Sequence, residues 1–424
     1  MARKASCLYT SKKLRLPASP LLDALALAAG DLYSKTVTTY WRILRKKDIF
    51  LSQFAMEKLH TSPKLHAHTS DAIVGNFYSA VKSANSLKKN GAKEVKYPKK
   101  HRKFYKITWK SSTIRIKNGN LILPNGKGND RLSIPWNFPL PLQVEIGWRK
   151  AGGYELRATY GVVLQPCLGT KVASVDLGEI RSAAVFDGDK VTVYSGRLVR
   201  SKQRYLNKVK AELSSKIDTA KKGTNRHKKL IKTKQRICNN LNNQIKDILH
   251  KQSSHIVSVL HQRGTQTVVI GDVRDIRENK NEGKYRNQQF HQALYGKMRW
   301  NITYKAARKG IGTVLQEESY TSKTCPRCSK HNEPNRRMYK CSCGFEYDRD
   351  GVGAINILAK YRGNFGTPVV GGMAPPVVGV KFIPHLQCRL SPQDSRTPWR
   401  GVSIIASAQN SILQSPFLAQ LDPP

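Results

Sequence analysis

Acidic residues are scarce in this chain. Its 424 residues hold 28 Asp and Glu against 74 Lys and Arg, a formal net charge of +46. Folding needs no such excess, which repels itself and costs stability unless a polyanion neutralises it. Nucleic acid is the natural neutraliser, because each phosphate contacted releases a counterion. A signal peptide and an apolar run of membrane-spanning length are both missing, so the chain reads as cytoplasmic with no membrane partner. Cysteine is sparse as well. Of the eight, Cys7, Cys167, Cys238 and Cys388 are scattered and four cluster between 325 and 343. In a reducing compartment scattered cysteines pack and a cluster binds metal. The length allows two to four domains and at least one large core. A ribosomal-type RNA-binding protein is the plainest reading of the charge, but the chain is long for one and rich in enzyme-like strands.

Residues 7–16 alternate loosely as a strand would. The stretch 19–60 reads as helical, with Leu21, Leu25, Ala28 and Leu32 at helical spacing, and a further helix fits Ser70–Lys88 around Ile73, Phe77 and Val81. Between 93 and 165 lie short β-rich runs broken by Asn-Gly, Gly-Lys-Gly and Gly-Gly turns. These predict a small all-β domain over 1–18 and 91–168, with 19–90 as a helical insertion. From Lys171 the pattern changes. KVASVDLG, SAAVFDG and KVTVYSG predict three strands, and a basic helical stretch follows over 200–262, interrupted near Gly223. Then come a buried strand, TVVIGDV, a helix over 287–309, a strand, TVLQEES, the cysteine cluster, and a helix from Asp350 to about Tyr361. Three strands in hairpins followed by alternating strands and helices are the order of an RNase H-like fold, with sheet order 3-2-1-4-5 and the last two strands parallel to the first. The overall class is multidomain α/β. Residues 362–424 hold nine of the chain's 20 prolines and few charges, and read as a low-order tail.

Cys325-Pro-Arg-Cys328, twelve residues, then Cys341-Ser-Cys343-Gly344 is the pattern of a zinc ribbon over 325–345. Four thiolates close a tetrahedral zinc site with no open position, so the zinc is structural. Asp176 ends an apolar strand that should be central in the sheet. Asp350 opens the last helix, where an Asp also serves as N-cap. Two acids that bring a metal pair together would support in-line attack of water on a phosphodiester, with the ions about 3.5–4 Å apart.

SVDLG, IGDV, YTSKTCPRC and CSCGFEYDRDGVGAINIL resemble the RuvC-type blocks of the TnpB family of transposon-encoded RNA-guided nucleases, relatives of the type V CRISPR effectors. The resemblance covers 171–361 by motif and 1–170 by layout, and does not reach 362–424. It implies a RuvC-like nuclease domain over 169–324 and 346–361 with 200–262 as a helical insertion. It also implies a β-rich wedge domain before it, whose helical insertion at 19–90 serves recognition. The implied activity is magnesium-dependent, RNA-guided DNA cleavage by an insertion-sequence protein. Its partners would be a guide RNA from the transposon end and target double-stranded DNA. The chain would be a monomer or weak dimer, associated with the bacterial nucleoid. Asp176 and Asp350 match the first and third catalytic acids.

The second acid departs from the family pattern, because Gly271 stands where the family usually has Glu. Either cleavage is lost, leaving an RNA-guided DNA-binding protein, or the acid has moved. The next strand ends in Glu317-Glu318. The first and fifth strands of the sheet lie roughly 10 Å apart across the fourth, a gap that two inward side chains around two magnesium ions can close. Side chains alternate faces, so only one of the pair points inward. Glu318 is the expected second acid, completing a magnesium site with Asp176 and Asp350. Asp272 is the rival, facing away unless a bulge turns it.

Basic segments suit phosphate contact. Lys99, Lys100, Arg102, Lys106 and Lys110, near Tyr105 and Trp109 for base stacking, and Lys228 and Lys229 on the long basic helix, are the expected nucleic-acid contacts.

Overall fold

The computed structural model describes residues 8–92, 94–149, 152–167, 169–272, 283, 294–334, 337–367 and 376–382. Strand β1 (Leu8–Leu16) leads into helix α1 (Pro20–Lys47). Ser19 caps α1 by accepting from the Leu22 N–H at 3.3 Å, and Pro20 sits at the first position, where no N–H is needed. The expected helix over 19–60 is broken. α1 stops where Asp48 turns left-handed (φ 50°), and Ser52 caps a separate α2 (Gln53–Leu59). Helix α3 (Ala67–Lys89) then packs Ile73, Val74 and Phe77 inward against α1.

Seven strands form two antiparallel sheets here, and the expected runs did not include β2 or β5. β1 pairs antiparallel with β7 (Tyr154–Val162), which pairs with β6 (Gln143–Trp148), which pairs with β2 (Ile107–Lys110). A smaller meander joins β3 (Arg115–Lys117), β4 (Asn120–Leu123) and β5 (Leu132–Pro135). Helices and strands share one core. Leu25, Phe77, Trp109, Ile146 and Leu156 belong to a single cluster. Trp109 is therefore not a base-stacking platform. It is 1% exposed and donates its indole N–H to the Pro124 carbonyl. Tyr105 is likewise taken, stacked on Tyr33 at 4.3 Å.

The second sheet has the predicted order. β10 (Val191–Ser195), β9 (Arg181–Phe186), β8 (Lys171–Asp176), β11 (Thr265–Asp272) and β12 (Gly312–Glu317) lie side by side, with β11 parallel to β8 and β12 parallel to β11. A sixth strand, β15 (Val377–Val380), runs parallel to β10 at the edge. The low-order tail was thus drawn too long, because 377–380 completes the sheet. Within that stretch, 368–375 and 383–424 lie outside the described residues, as do Cys7, Cys388 and the first part of the helix expected over 287–309.

Helices cover both faces of this sheet. α4 (Arg197–Asp218) and α5 (Asn225–Gln262) form a basic hairpin around Gly223. Only the first half of α5 stands clear of the core. From Leu241 onward it buries Ile245, Ile248, Leu249 and Ile256 against Val175, Val268 and Ile270, so this half is a packing helix of the fold and not an insertion. α6 (Tyr295–Arg308) joins the same face through Met298 and Ile302. The opposite face carries α7 (Arg349–Tyr361), reached through the hairpin of β13 (Met338–Lys340) and β14 (Glu346–Asp348). Among the described residues no helix is long and apolar enough to cross a membrane.

Candidate functional site

Strand parity decides which acids share a face. On β8, Ala173, Val175 and Leu177 pack toward α5 and α6. Ser174 points the other way and donates to the Ala354 carbonyl of α7 at 2.5 Å. Asp176 follows Ser174 by two residues and so faces α7 as well. Gly353 of α7 confirms the approach. A Cβ at position 353 would meet the Asp176 carboxylate, whose Cγ lies 3.2 Å away. Asp350 sits three residues before Gly353, on the same helix face one turn earlier. The first and third acids therefore lie on one side of the sheet.

On β11, Val268 and Ile270 face α5 and α6, which puts Gly271 on the α7 face and Asp272 on the other. Asp272 lies 3.5 Å from the Arg299 guanidinium of α6. Glu318, just past the end of β12, shares the parity of Gln316, which is level with Gly271 in the parallel register. Its side chain lies across β11. A Cβ built on Gly271 would fall on the Glu318 carboxylate, and the three nearest atoms to it all belong to Glu318, with Cγ at 2.8 Å. Glu318 thus fills the volume that a side chain at 271 would use. Glu317 turns outward to Lys360 and the Ser319 N–H, which hold its carboxyl down at about 2.

The inner acids behave in the opposite sense. Burial, followed by the charges of Glu318 and Asp350, raises Asp176 well above the usual carboxylate range, against the pull of Arg349 and the Leu177 N–H. Burial pushes Glu318 up to about 7, helped by the charges of Asp272 and Glu317. Its Oε1 is buried and has no hydrogen-bond partner. A buried carboxylate oxygen without a donor is costly unless a cation meets it. The donor set of three carboxylates, all oxygen, suits a hard divalent ion such as magnesium.

Asp350 is not the helix cap. Asp348 takes that role, accepting from the N–H groups of Asp350 and Gly351 at 3.1 and 3.2 Å, while its carboxylate pairs with Arg181. Asp350 is left to face Arg181, Arg337 and Arg349, at 3.6, 3.5 and 3.5 Å. Asn356, buried one turn below Gly353, donates to the carbonyls of Thr321 and Thr324 at 2.7 Å each. That ties the segment following Glu318 to the helix that carries Asp350.

The four clustered cysteines converge. Their sulfurs all lie within 4.8 Å of one another, with Cys325 and Cys343 at 3.8 Å and Cys328 and Cys341 at 3.5 Å. Bonds of about 2.3 Å in a tetrahedron place sulfurs about 3.8 Å apart, so the site fits zinc. Among the described residues no other group of three or more metal-binding side chains is drawn so close. The three carboxylates stand farther apart, with Asp350 on its arginines.

Sequence reasoning missed the arginines and Asn356, which carry no local signature. Gly353 did carry one, since a glycine inside a helix marks a close approach. Of the expected nucleic-acid contacts, Lys100, Arg102, Lys110, Lys228 and Lys229 are exposed, and exposed Lys99 lies over the Trp41 ring at 5.1 Å. Lys106 is engaged instead, 2.6 Å from Glu145 within the first sheet.

Known proteins resemble the chain along much of its length. A family model described as "Probable transposase" (OrfB_IS605) matches residues 155–277, and one described as "Cas12f1-like, TNB domain" matches 295–357. A TnpB-like protein of Methanocaldococcus jannaschii is 27% identical over 213 residues, 49% of this chain and 75% of that protein. A Streptomyces pristinaespiralis protein named "Putative RNA-guided DNA endonuclease" is 30% identical over 283 residues, 63% of this chain and 66% of that one. A TnpB-like protein of Acidianus two-tailed virus is 27% identical over 237 residues, covering 54% and 50%. The chain thus spans between half and three quarters of the length of these relatives. In the cryo-EM structure of a Cas12f1–sgRNA–target DNA complex, the protein has the same fold at a TM-score of 0.55 and 13% identity, with 80% of this chain and 82% of that one covered.

Proposed function

We propose that this chain, which belongs to the TnpB family, is an RNA-guided, magnesium-dependent DNA endonuclease encoded by an insertion sequence. Asp176, Glu318 and Asp350 would hold two magnesium ions. The observation that carries this reading is the Glu318 carboxylate lying in the space above Gly271, with one oxygen buried and unpartnered. A chain that had simply lost its second acid would have no reason to bury another one in the same volume at the cost of desolvation.

Bound magnesium would activate water and neutralise the charge building on the scissile phosphate. The chain's own groups prepare for that. Burial beside two other acids keeps Asp176 and Glu318 apt to exchange protons for cations. Arg181, Arg337 and Arg349 hold Asp350 until it is engaged, and Asn356 keeps the Glu318 segment against α7. The exposed lysines 99, 100, 110, 228 and 229, with Arg102, would contact the backbones of a guide RNA and a double-stranded DNA target, with sequence read by pairing. The first sheet with its helices would serve as the wedge and recognition region. The zinc ribbon would be structural, holding the turn between Glu318 and Asp350.

The test is cleavage of a guide-matched duplex in magnesium by the chain purified with its flanking RNA. Glu318→Gln is expected to lower the cutting rate by more than the ~10–100-fold that loss of a supporting residue costs at a metal site, with target binding retained. Asp272→Asn should leave most cutting intact. The reverse pattern would move the second acid to 272. Binding without cutting under any divalent ion would select a cleavage-deficient DNA-binding protein.

A further inference from the structure

Beside Asp350, whose partners Arg181 and Arg337 form part of its wall, lies a cleft of about 180 Å³. Its walls come from four separate parts of the chain. They are Arg181 at the start of β9, Val193 and Ser195 of β10 with Arg197 at the start of α4, Arg337 ahead of β13, and Lys381 just after β15. Four of these side chains are cations, and among the described residues no carboxylate lines the cleft. The volume is far above the ~10–15 Å³ that admits a single water.

Charge bookkeeping around the cleft leaves an excess. Arg181, Arg337 and Arg349 share two carboxylates, Asp348 and Asp350, and Arg197 adds to the positive side. The excess grows if Asp350 turns to metal, because Arg337 and Arg349 then lose their partner while Arg181 keeps Asp348. A second feature points the same way. α4 begins at the cleft wall with Gly196 as its cap, so no side chain closes its first-turn N–H groups, and that turn holds no acid. An open helix start favours an anion.

We propose that this cleft is a phosphate site that seats a backbone phosphodiester of the bound strand, next to the one presented to Asp176, Glu318 and Asp350. The strand's placement rests on the nuclease reading, but the cleft itself is tested by binding alone. Phosphate chemistry accounts for the choice of arginine, whose planar fork matches phosphate oxygens in pairs. Seating a neighbouring phosphate would fix the register of the strand over the acids without reading its sequence. Lys381 brings the edge strand β15 into the same task.

The experiment uses the full chain with its RNA, in calcium so that binding is read without magnesium-supported cutting. Affinity for a matched single strand is measured across a salt series for the wild type, Arg197→Gln, Lys381→Gln and Arg197→Lys. Each Gln variant should flatten the slope of log K against log salt by about 0.7, the value for one single-strand phosphate, while Arg197→Lys keeps the slope. A neutral methylphosphonate scanned along the strand should weaken wild-type binding by about ten-fold at one internal position. At that position it should weaken the Gln variants no further. Coupling confined to a 5′-terminal phosphate, or competition by inorganic phosphate with no internal position coupled, would overturn the backbone assignment. Additive losses at every position, with unchanged slopes in both Gln variants, would remove the site. A chain that shows the coupling yet never cuts in magnesium keeps the cleft and loses the nuclease reading. A chain that cuts without the coupling does the opposite.

Discussion

The backbone at Gly271 runs as ordinary strand, so φ and ψ do not forbid a side chain there. The nearest obstacle is Glu318, since the three atoms closest to a built Cβ all belong to it. This makes the two positions exchangeable in principle. Gly271→Glu by itself would force two carboxylates into one volume, and overpacking of this kind costs about 1–3 kcal/mol. A fall in melting temperature and a loss of cutting are expected. Adding Glu318→Ala should clear the volume, recover the melting temperature and restore cutting from the strand-four position. A double variant no more stable than Gly271→Glu would mean that some other group blocks the site. That one member of Glu317-Glu318 faces the gap was legible beforehand from period-two alternation and strand spacing, while the choice of Glu318 rested on its place beside the strand end. The arginines around Asp350 were not legible. They come from β9, from ahead of β13 and from α7 itself, and no sequence spacing links three such places. Nor was the identity of the cap. Asp348 and Asp350 both suit a helix start, and only the buried Arg181 pair decides between them.

Elements follow from pattern where one face is buried and mislead where a segment is merely polar. The five strands of the nuclease-like sheet were readable as apolar runs in a fixed order. β2 was hidden, because Ile107–Lys110 sits inside a basic stretch and its Trp109 resembles a stacking residue until Pro124 and the core claim it. β15 was hidden too, four residues in a proline-rich surrounding that gain their order from the open edge of β10 and from Val380 packing on the core. The ribbon was the clearest element, since four thiols in two knuckles have little other use in a reducing compartment. Its β13–β14 hairpin connects the Glu318 segment to α7, and it adds few apolar side chains, Tyr339 and Tyr347 among them, to a cluster shared with Val191 and Val193 of the sheet. Zinc should therefore supply much of its order. One zinc per chain is expected by atomic absorption. Cys328→Ser or prolonged chelation should expose this segment to protease while the first sheet stays protected. A ribbon equally resistant with and without zinc would contradict the structural role.

At the scale of the molecule, the charge of +46 is the dominant feature. Without nucleic acid the chain repels itself, and salt should relieve that repulsion. Raising salt from about 0.05 M to about 0.5 M shortens the screening length to a few Å, so the melting temperature of the RNA-free chain should rise. Binding to RNA should weaken steeply over the same range, since each neutralised phosphate contributes to the slope. A melting temperature indifferent to salt would mean that the cations are already matched within the fold. The central claim is narrower than any of this: three acids from β8, the end of β12 and the start of α7 take up a pair of divalent ions. Anomalous diffraction from crystals of the chain grown with manganese measures it directly. Two peaks held by Asp176, Glu318 and Asp350, with Asp350 drawn off its arginines, are the result expected. Peaks held by Asp272, or no manganese near Asp176 at saturating concentration, would contradict it.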